Sequence, residues 1–311
     1  MSAKNWFKFI FLGMVWGSSF LWIKIALGEV GPFTLVFFRA GIAFLGLVVV
    51  WIVLRPELHR RDLWKFAFMG VFNHALPIVL ISWSEKHISS GLAAILNSTT
   101  PLFTILIAPF FLSEERITAR RALGLILGFG GVIVLASNKL ADGDSLGGVG
   151  IITMLIAACC YAASGVFARK IMSGIRSEAQ SIGQMGMAFL FMIPATFIAE
   201  SPFHMPTQPL TWIALIWLGL LGSCVTLLLW FSLLNSVGPT KTSMVTYLFP
   251  LMGVLLGWVF LHEIPDWRLF VGGALVLAAV VIVNSLGKRN KQDKIEQQVV
   301  PLANTESPDG R

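Results

Sequence analysis

The stretch NSTTPLFTILIAPFFLSEERI, Asn97 to Ile117, sets a proline in the middle of an apolar run and ends abruptly in Glu114, Glu115 and Arg116. Near the other end of the chain, TYLFPLMGVLLGWVFLHEIPD, Thr246 to Asp266, repeats the layout: Pro250 stands 13 residues before Glu263, as Pro101 stands 13 before Glu114. Proline lacks the backbone donor and clashes with the preceding turn. Each is therefore expected to break its helix and free a carbonyl one turn earlier, near Asn97 and Thr246. Two breakers in matching surroundings point to a duplicated unit.

The surroundings are those of a membrane. Hydrophobic residues make up 56% of the 311 and charged residues 13%, with a mean hydropathy of +0.79; soluble domains run at roughly 45–50% apolar and about 25% charged. A helix needs about 20 mostly apolar residues to cross the bilayer, and ten such runs are expected, near 6–27, 33–54, 64–83, 90–112, 120–137, 148–169, 179–199, 210–234, 240–261 and 267–287. The period-two alternation of a membrane β-barrel is absent from the sequence. Lys4 and Lys8 before an apolar stretch resemble a signal peptide, but cleavage would leave nine spans and destroy the repeat. Cys159, Cys160 and Cys224 all fall inside spans and read as small core residues, with neither disulfide nor metal spacing. No cofactor, metal ligand set or catalytic residue is expected.

The net charge of +7 follows the positive-inside rule, so nucleic acid is not needed as a partner. With the N-terminus inside, cytoplasmic segments carry Lys4, Lys8, Arg55, Arg60, Arg61, Lys65, Arg116, Arg120, Arg121, Arg169, Lys170, Arg176, Lys241, Lys288, Arg289, Lys291 and Lys294, against Lys86, Lys139 and Arg268 outside. This distribution predicts a multi-pass protein of the plasma (cell inner) membrane with both termini cytoplasmic. The tail 288–311 reads as a disordered cytoplasmic segment, its KRNKQDK run able to touch anionic lipid.

Spacings extend the duplication. Trp16 to Arg39 is 23 residues, as is Tyr161 to Gln184; Gly91 to Pro101 is 10, as is Thr240 to Pro250; Glu115 to Gly124 is 9, as is Glu263 to Gly272. The expected organisation is a first repeat over 1–137, an outside linker over 138–147 and a second repeat over 148–287. Five spans per unit is odd, so the second copy enters the membrane from the opposite side. The fold class is thus all-α integral membrane, ten transmembrane helices in two inverted five-helix repeats. Secondary transporters use inverted repeats with interrupted helices and a substrate site near the midplane. Pro101 and Pro250 each lie roughly ten residues from a membrane face, near mid-bilayer at about 1.5 Å per residue.

Several stretches carry a resemblance: WGSSFLWIKIA from Trp16, GPFTLVFFRAGIA from Gly31, SSGLAAILNSTTPLFTILIAPFFLSEERITARRALGLILGFGGVIVL from Ser89, and GPTKTSMVTYLFPLMGVLLGWVFLHEIPDWRLFVGGALVLAAVVIV from Gly238. Over roughly residues 8–286 the chain resembles the EamA-type members of the drug/metabolite transporter superfamily. The resemblance implies two inverted five-helix repeats around a central cavity and, commonly, export of amino acids, related metabolites or drugs. It implies no particular substrate. Tyr161 in place of Trp16 and Gln184 in place of Arg39 mark a second repeat with weaker motif identity.

Away from the cytoplasmic and outer ends of the spans, the only basic residues are Lys24 and Arg39. A cation at the centre of a span costs on the order of 2.5–3.5 kcal/mol, so each either snorkels to the surface or finds an interior role; Arg39 matches a recurrent family arginine, and Glu85 is its expected counter-charge. All 16 Asp and Glu fall in loops, helix ends or the tail. A neutral or slightly cationic cavity is therefore expected, suited to zwitterions or carboxylates. His74, beside Asn73, is the only group near the midplane with an ordinary pKa of about 6.5, read either as a core histidine or as a proton-coupling group. Trp16, Phe20 and Lys24 recur at intervals of four on one helix face. Together with Trp83, Trp230, Tyr161 and Tyr247, and the polar Asn97, Thr100, Thr104, Thr246 and Gln184, they form the candidate substrate-binding wall, with ordinary core packing as the alternative for each.

The pairs Gly13/Gly17, Gly124/Gly128 and Gly253/Gly257 fit close helix packing, within the monomer or across a homodimer. The Asn97-Ser98-Thr99 sequon lies inside a span, out of reach of glycosylation. The expected function is a secondary transporter or facilitator moving small metabolites outward across the plasma membrane by alternating access, with amino acids or related carboxylates as substrates. A multidrug or organic cation exporter is the alternative in the same class. A membrane-embedded sensor or enzyme is the alternative in another, against which stand the lack of HExxH, G-x-S-x-G and phosphate-loop motifs and of any soluble domain.

Overall fold

The computed structural model describes residues 2–112, 117–141, 144–172, 174–237, 242 and 244–284. The acidic turn at Glu114, Glu115 and Arg116, the Thr240 end of the second echo and the basic tail lie outside the described residues. Among those described, nine helices are long and apolar enough to cross a membrane: Ala3–Ala26, Pro32–Leu54, Arg60–Glu85, Ser90–Phe111, Ala119–Ser137, Ser145–Ile171, Ser177–Ala199, Pro209–Trp230 and Met244–Leu261. A shorter apolar helix, Trp267–Val283, follows. They are called the first to tenth spans below. No strand occurs among the described residues.

The helices pack in matched pairs, as duplicated units must. The fifth span lies along the tenth, the second along the seventh, the first along the ninth and the fourth along the sixth. Two further details recur: the third span contains a π-helical stretch, Val71–Ala75, and the eighth contains another, Trp217–Val225. Sequence periodicity does not announce these. A π turn widens the hydrogen-bond ladder and is found mostly at functional sites.

The fourth span answers the question its proline raises. It is two helices, Ser90–Asn97 and Thr100–Phe111, with Pro101 in the first turn of the second, where a missing N–H is unfelt. Hydroxyls support the backbone across the break: Thr100 Oγ1 donates to the Asn97 carbonyl at 2.7 Å, in place of the donor Pro101 lacks, while Thr99 Oγ1 adds to the backbone bond at Leu96 at 2.6 Å and Ser98 Oγ to that at Ala94 at 3.0 Å. The run Ser-Thr-Thr before the proline thus keeps the broken backbone satisfied inside the bilayer. In the ninth span a 3₁₀ turn, Met244–Tyr247, precedes the helix Leu248–Leu261, and Pro250 again sits in the first turn.

The small-residue pairs all meet neighbours of the same chain. A side chain at Gly13 would run into Leu248, one at Gly128 into Leu102, and one at Gly253 into Ala94. The backbones of the fifth and tenth spans also approach closely, where a Cβ on Gly131 would stand 2.8 Å from the Gly272 carbonyl. Overpacking costs about 1–3 kcal/mol, so Gly131→Val is expected to lower the thermal denaturation midpoint of the purified protein. Gly130→Val, at a position where a Cβ would meet nothing within 4 Å, should not; equal midpoints for the two variants would refute this packing.

Candidate functional site

The eighth span's π stretch builds the polar centre. Its widened turn turns the Gly222 carbonyl toward the first repeat, where that oxygen accepts from Trp16 Nε1 at 3.1 Å and from Arg39 Nη2 at 3.4 Å. A carbonyl has two lone pairs and can hold both. Arg39 Nε donates to Ser223 Oγ at 3.0 Å, and that hydroxyl in turn donates a hydrogen bond to the Leu218 carbonyl at 3.1 Å. Arg39 is only 7% exposed, yet its bonds run from Nε and Nη2, and Nη1 makes none among the described residues.

A second link is the image of the first. Asn73, in the third span's π stretch, donates through Nδ2 to Gln184 Oε1 in the seventh span at 3.2 Å. The spacing that equates Arg39 with Gln184 therefore has a structural meaning. Each projects from the second helix of its repeat onto the π turn in the third helix of the other repeat. His74 follows Asn73, buried, with Nε2 unpartnered and within electrostatic reach of Arg39. Tyr161, in the sixth span, also lies within reach of Arg39.

Aromatic rings close the apolar side. Trp16 lies 5.3 Å from Trp230 and 6.1 Å, edge-on, from Phe249, and Phe20 is buried in the same core. The structure thus gathers Trp16, Phe20, Arg39, His74, Tyr161, Gln184 and Trp230 between the repeats. It does not gather all the candidates. Tyr247 turns away, its hydroxyl donating to the Val280 carbonyl at 3.1 Å, in a cluster with Leu102 and Leu125; the 3₁₀ turn rotates it toward the tenth span. Trp83 packs on His87 at 4.4 Å, at the end of the third span. Thr100 and Thr104 spend their hydroxyls on main-chain carbonyls of their own span. Asn97 keeps a buried, unpartnered Oδ1, and Thr246 is half-buried in the 3₁₀ turn.

Glu85, the expected counter-charge, lies within electrostatic reach of Arg39 but makes no direct bond to it. Arg39 spends its bonds on Ser223 and Gly222, since the π turn brings those acceptors closer than the helix end. Lys24 instead reaches the end of the third span, where its ammonium donates to the main-chain carbonyls of Glu85 and Ile88, the latter at 2.8 Å.

Sequence reasoning missed the fastening of this end of the bundle, where three carboxylates cap helix N-termini across the repeats. Glu29 accepts from Thr207 N at 2.6 Å and Gln208 N at 3.1 Å, ahead of the eighth span. Glu200 accepts from Phe33 N at 2.8 Å and Thr34 N at 3.0 Å, in the second. Glu263 accepts from Ser90 N at 2.9 Å, Ser90 Oγ at 2.8 Å and Gly91 N at 3.4 Å, in the fourth. The first turns of a helix carry orphan donors and a partial positive charge, so carboxylates are favoured there.

Local sequence makes room for the caps. Gly31 leaves space that a side chain would take from the Glu200 carboxylate. His262, with φ of 54°, ends the ninth span in the left-handed region and turns Glu263 back toward Ser90. The Thr211 hydroxyl, followed by the Thr207 and Gln208 amides, holds the Glu29 carboxyl down at about 2. That cap contributes stability above the ordinary carboxylate range and loses it only as pH falls toward about 2. A cleft of about 200 Å³ lined by Ser89, Glu263, Asp266 and Arg268 opens at this end and shares no residue with the Arg39 cluster.

Residues 5–137 and 148–285 each match the EamA-like transporter family. The chain is 22% identical to "Uncharacterized transporter YoaV" of Bacillus subtilis, over 89% of this chain and 96% of that one. It is 26% identical to "Probable terminal-alkyne amino-acid exporter" of Streptantibioticus cattleyicolor, over 89% and 93%. It is likewise 26% identical to "Uncharacterized inner membrane transporter YedA" of Escherichia coli K12, over 89% of each. A solved crystal structure superposes with a TM-score of 0.66 at 18% identity, over 93% of this chain and 100% of that one, and so shares the fold.

Proposed function

Because the chain belongs to the EamA-like transporter family, we propose that it exports amino acids or related carboxylates across the plasma (cell inner) membrane by alternating access, with both termini cytoplasmic. The observation that carries this reading is Arg39. A buried guanidinium with an open Nη1, fixed by a hydroxyl and a carbonyl of the opposite repeat, is suited to hold a carboxylate through charge-assisted bonds. The Trp16, Trp230 and Phe249 rings beside it suit an apolar side chain. A relative named as an amino-acid exporter points the same way. Rocking one repeat against the other would separate Arg39 from Ser223 and Asn73 from Gln184, so both links belong to the moving interface.

An organic cation exporter is the second reading, favoured by one observation: Glu85 is a fully buried carboxyl group. Two cations within its reach, Lys24 and Arg39, weigh against it. Counterflow in proteoliposomes loaded with each unlabelled candidate separates the readings, using labelled L-leucine, L-threonine, glutamate and tetraphenylphosphonium. Accumulation of an amino acid is the expected result. Accumulation of tetraphenylphosphonium alone would overturn the carboxylate reading.

A further inference from the structure

Glu85 is the last residue of the third span and is 0% exposed. Neither of its carboxyl oxygens has a hydrogen-bond partner among the described residues. The charged groups facing it are Lys24 from the first span, Arg39 from the second and Glu263 from the connection before the tenth. All three are committed elsewhere: Lys24 to the main-chain carbonyls of Glu85 and Ile88, Arg39 to Ser223 and Gly222, Glu263 to Ser90 and Gly91. The sixth span packs alongside and is tied on by Ser84 Oγ, donating to the Gly150 carbonyl at 2.7 Å; its titratable Tyr161 lies within reach of Arg39.

A carboxylate without donors in a place closed to water is heavily penalised by desolvation, and such a group takes a proton instead. The ammonium of Lys24 reaches the main chain of this very residue and makes no bond to its carboxyl group, the arrangement expected around a neutral acid. Glu85 also lies at the end of the bundle that the Glu29, Glu200 and Glu263 caps fasten.

We propose that Glu85 is a proton-binding site of the transport cycle, which takes up one proton as this end of the bundle closes and gives it back when the end opens. The inference rests on the alternating-access reading and adds a coupling ion to it: closure converts the carboxylate, hydrated while the end is open, into a buried carboxylic acid. The proton comes from water on the side this end faces and returns to water, so no other reactant is needed. Because the closed state holds one proton more than the open state, each pH unit between the titrations of the open and closed states shifts the balance about tenfold toward the open state.

Infrared spectroscopy of the full chain in proteoliposomes tests the first half of the proposal. The carbonyl stretch of a protonated carboxylic acid should be present at neutral pH, vanish in Glu85→Gln and persist in Glu263→Gln. Hydrogen exchange tests the second half. After correction for intrinsic rates, protection of the Phe33, Thr34, Ser90 and Gly91 amides should fall about tenfold per pH unit in the wild type and stay high and flat in Glu85→Gln, whose side chain mimics the protonated group. A wild type without the band, a band that survives in Glu85→Gln, or the same pH dependence in both proteins would overturn the proposal. Neither readout requires a substrate, so a negative counterflow panel would count against the amino-acid reading and leave this test intact.

Discussion

Replacing Arg39 with glutamine is expected to weaken transport of carboxylate-bearing substrates by roughly ten- to a hundredfold while the protein stays folded. Charge-assisted hydrogen bonds contribute about 1.5–3 kcal/mol, and about 1.4 kcal/mol is a factor of ten. Glutamine is uncharged and shorter; it can keep a neutral bond toward Ser223 but offers a carboxylate no ionic partner. The comparison that decides is inhibition of labelled L-leucine counterflow by unlabelled L-leucine and by its uncharged-carboxyl amide. The loss should fall on the acid and spare the amide. Equal losses for both, with an unchanged denaturation midpoint, would return Arg39 to a purely structural role between the repeats.

Removing the cap at the start of the fourth span is expected to have the largest effect on stability. Glu263→Ala strips acceptors from the Ser90 amide, the Ser90 hydroxyl and the Gly91 amide together. The first of these helices, Ser90–Asn97, is only 8 residues long, so its N-terminal donors are a large part of its hydrogen bonding. The loss should be about 2–3 kcal/mol, seen as a lower thermal midpoint and as faster hydrogen exchange at Ser90 and Gly91. Glu263→Gln should recover part of it, because the amide oxygen still accepts while the attraction of a negative charge to the helix N-terminus is gone. An unchanged midpoint in the alanine variant would remove the cap from the account of how the repeats are fastened.

Glu263 also shows how differently parts of this molecule can be read. The sequence singles it out by its distance from Pro250, as one end of an echo, and says nothing of Ser90, its partner 173 residues away. Arg39 and Gln184 are equated by spacing alone, and the structure gives both the same task, a bond from the second helix of one repeat to the π turn of the other. What spacing cannot supply is the π turn itself, which comes from a shift of hydrogen-bond partners and leaves no mark on hydropathy. Tyr247, an aromatic with a polar tip in a span, turns away from the wall for a related reason: it sits in a 3₁₀ turn, which advances side chains by a different angle from an α-helix.

The sequence by itself determined what the bilayer imposes on any chain. Apolar runs must be helical and long enough to cross, because no unpaired backbone group is tolerated in hydrocarbon, and a proline inside such a run must be repaired nearby, as the hydroxyls of Ser98, Thr99 and Thr100 do. The duplication was written in the same local terms, as equal intervals between breakers, acids and aromatics. The tertiary structure alone decided which buried polar groups are satisfied and which are not. Lys24 passes the carboxyl group of Glu85 by, Arg39 bonds to a serine in place of an acid, and three loop carboxylates cap helices of the opposite repeat. Those pairings join residues 61 to 184 positions apart, and side-chain reach across packed helices, which sets them, has no period along the chain.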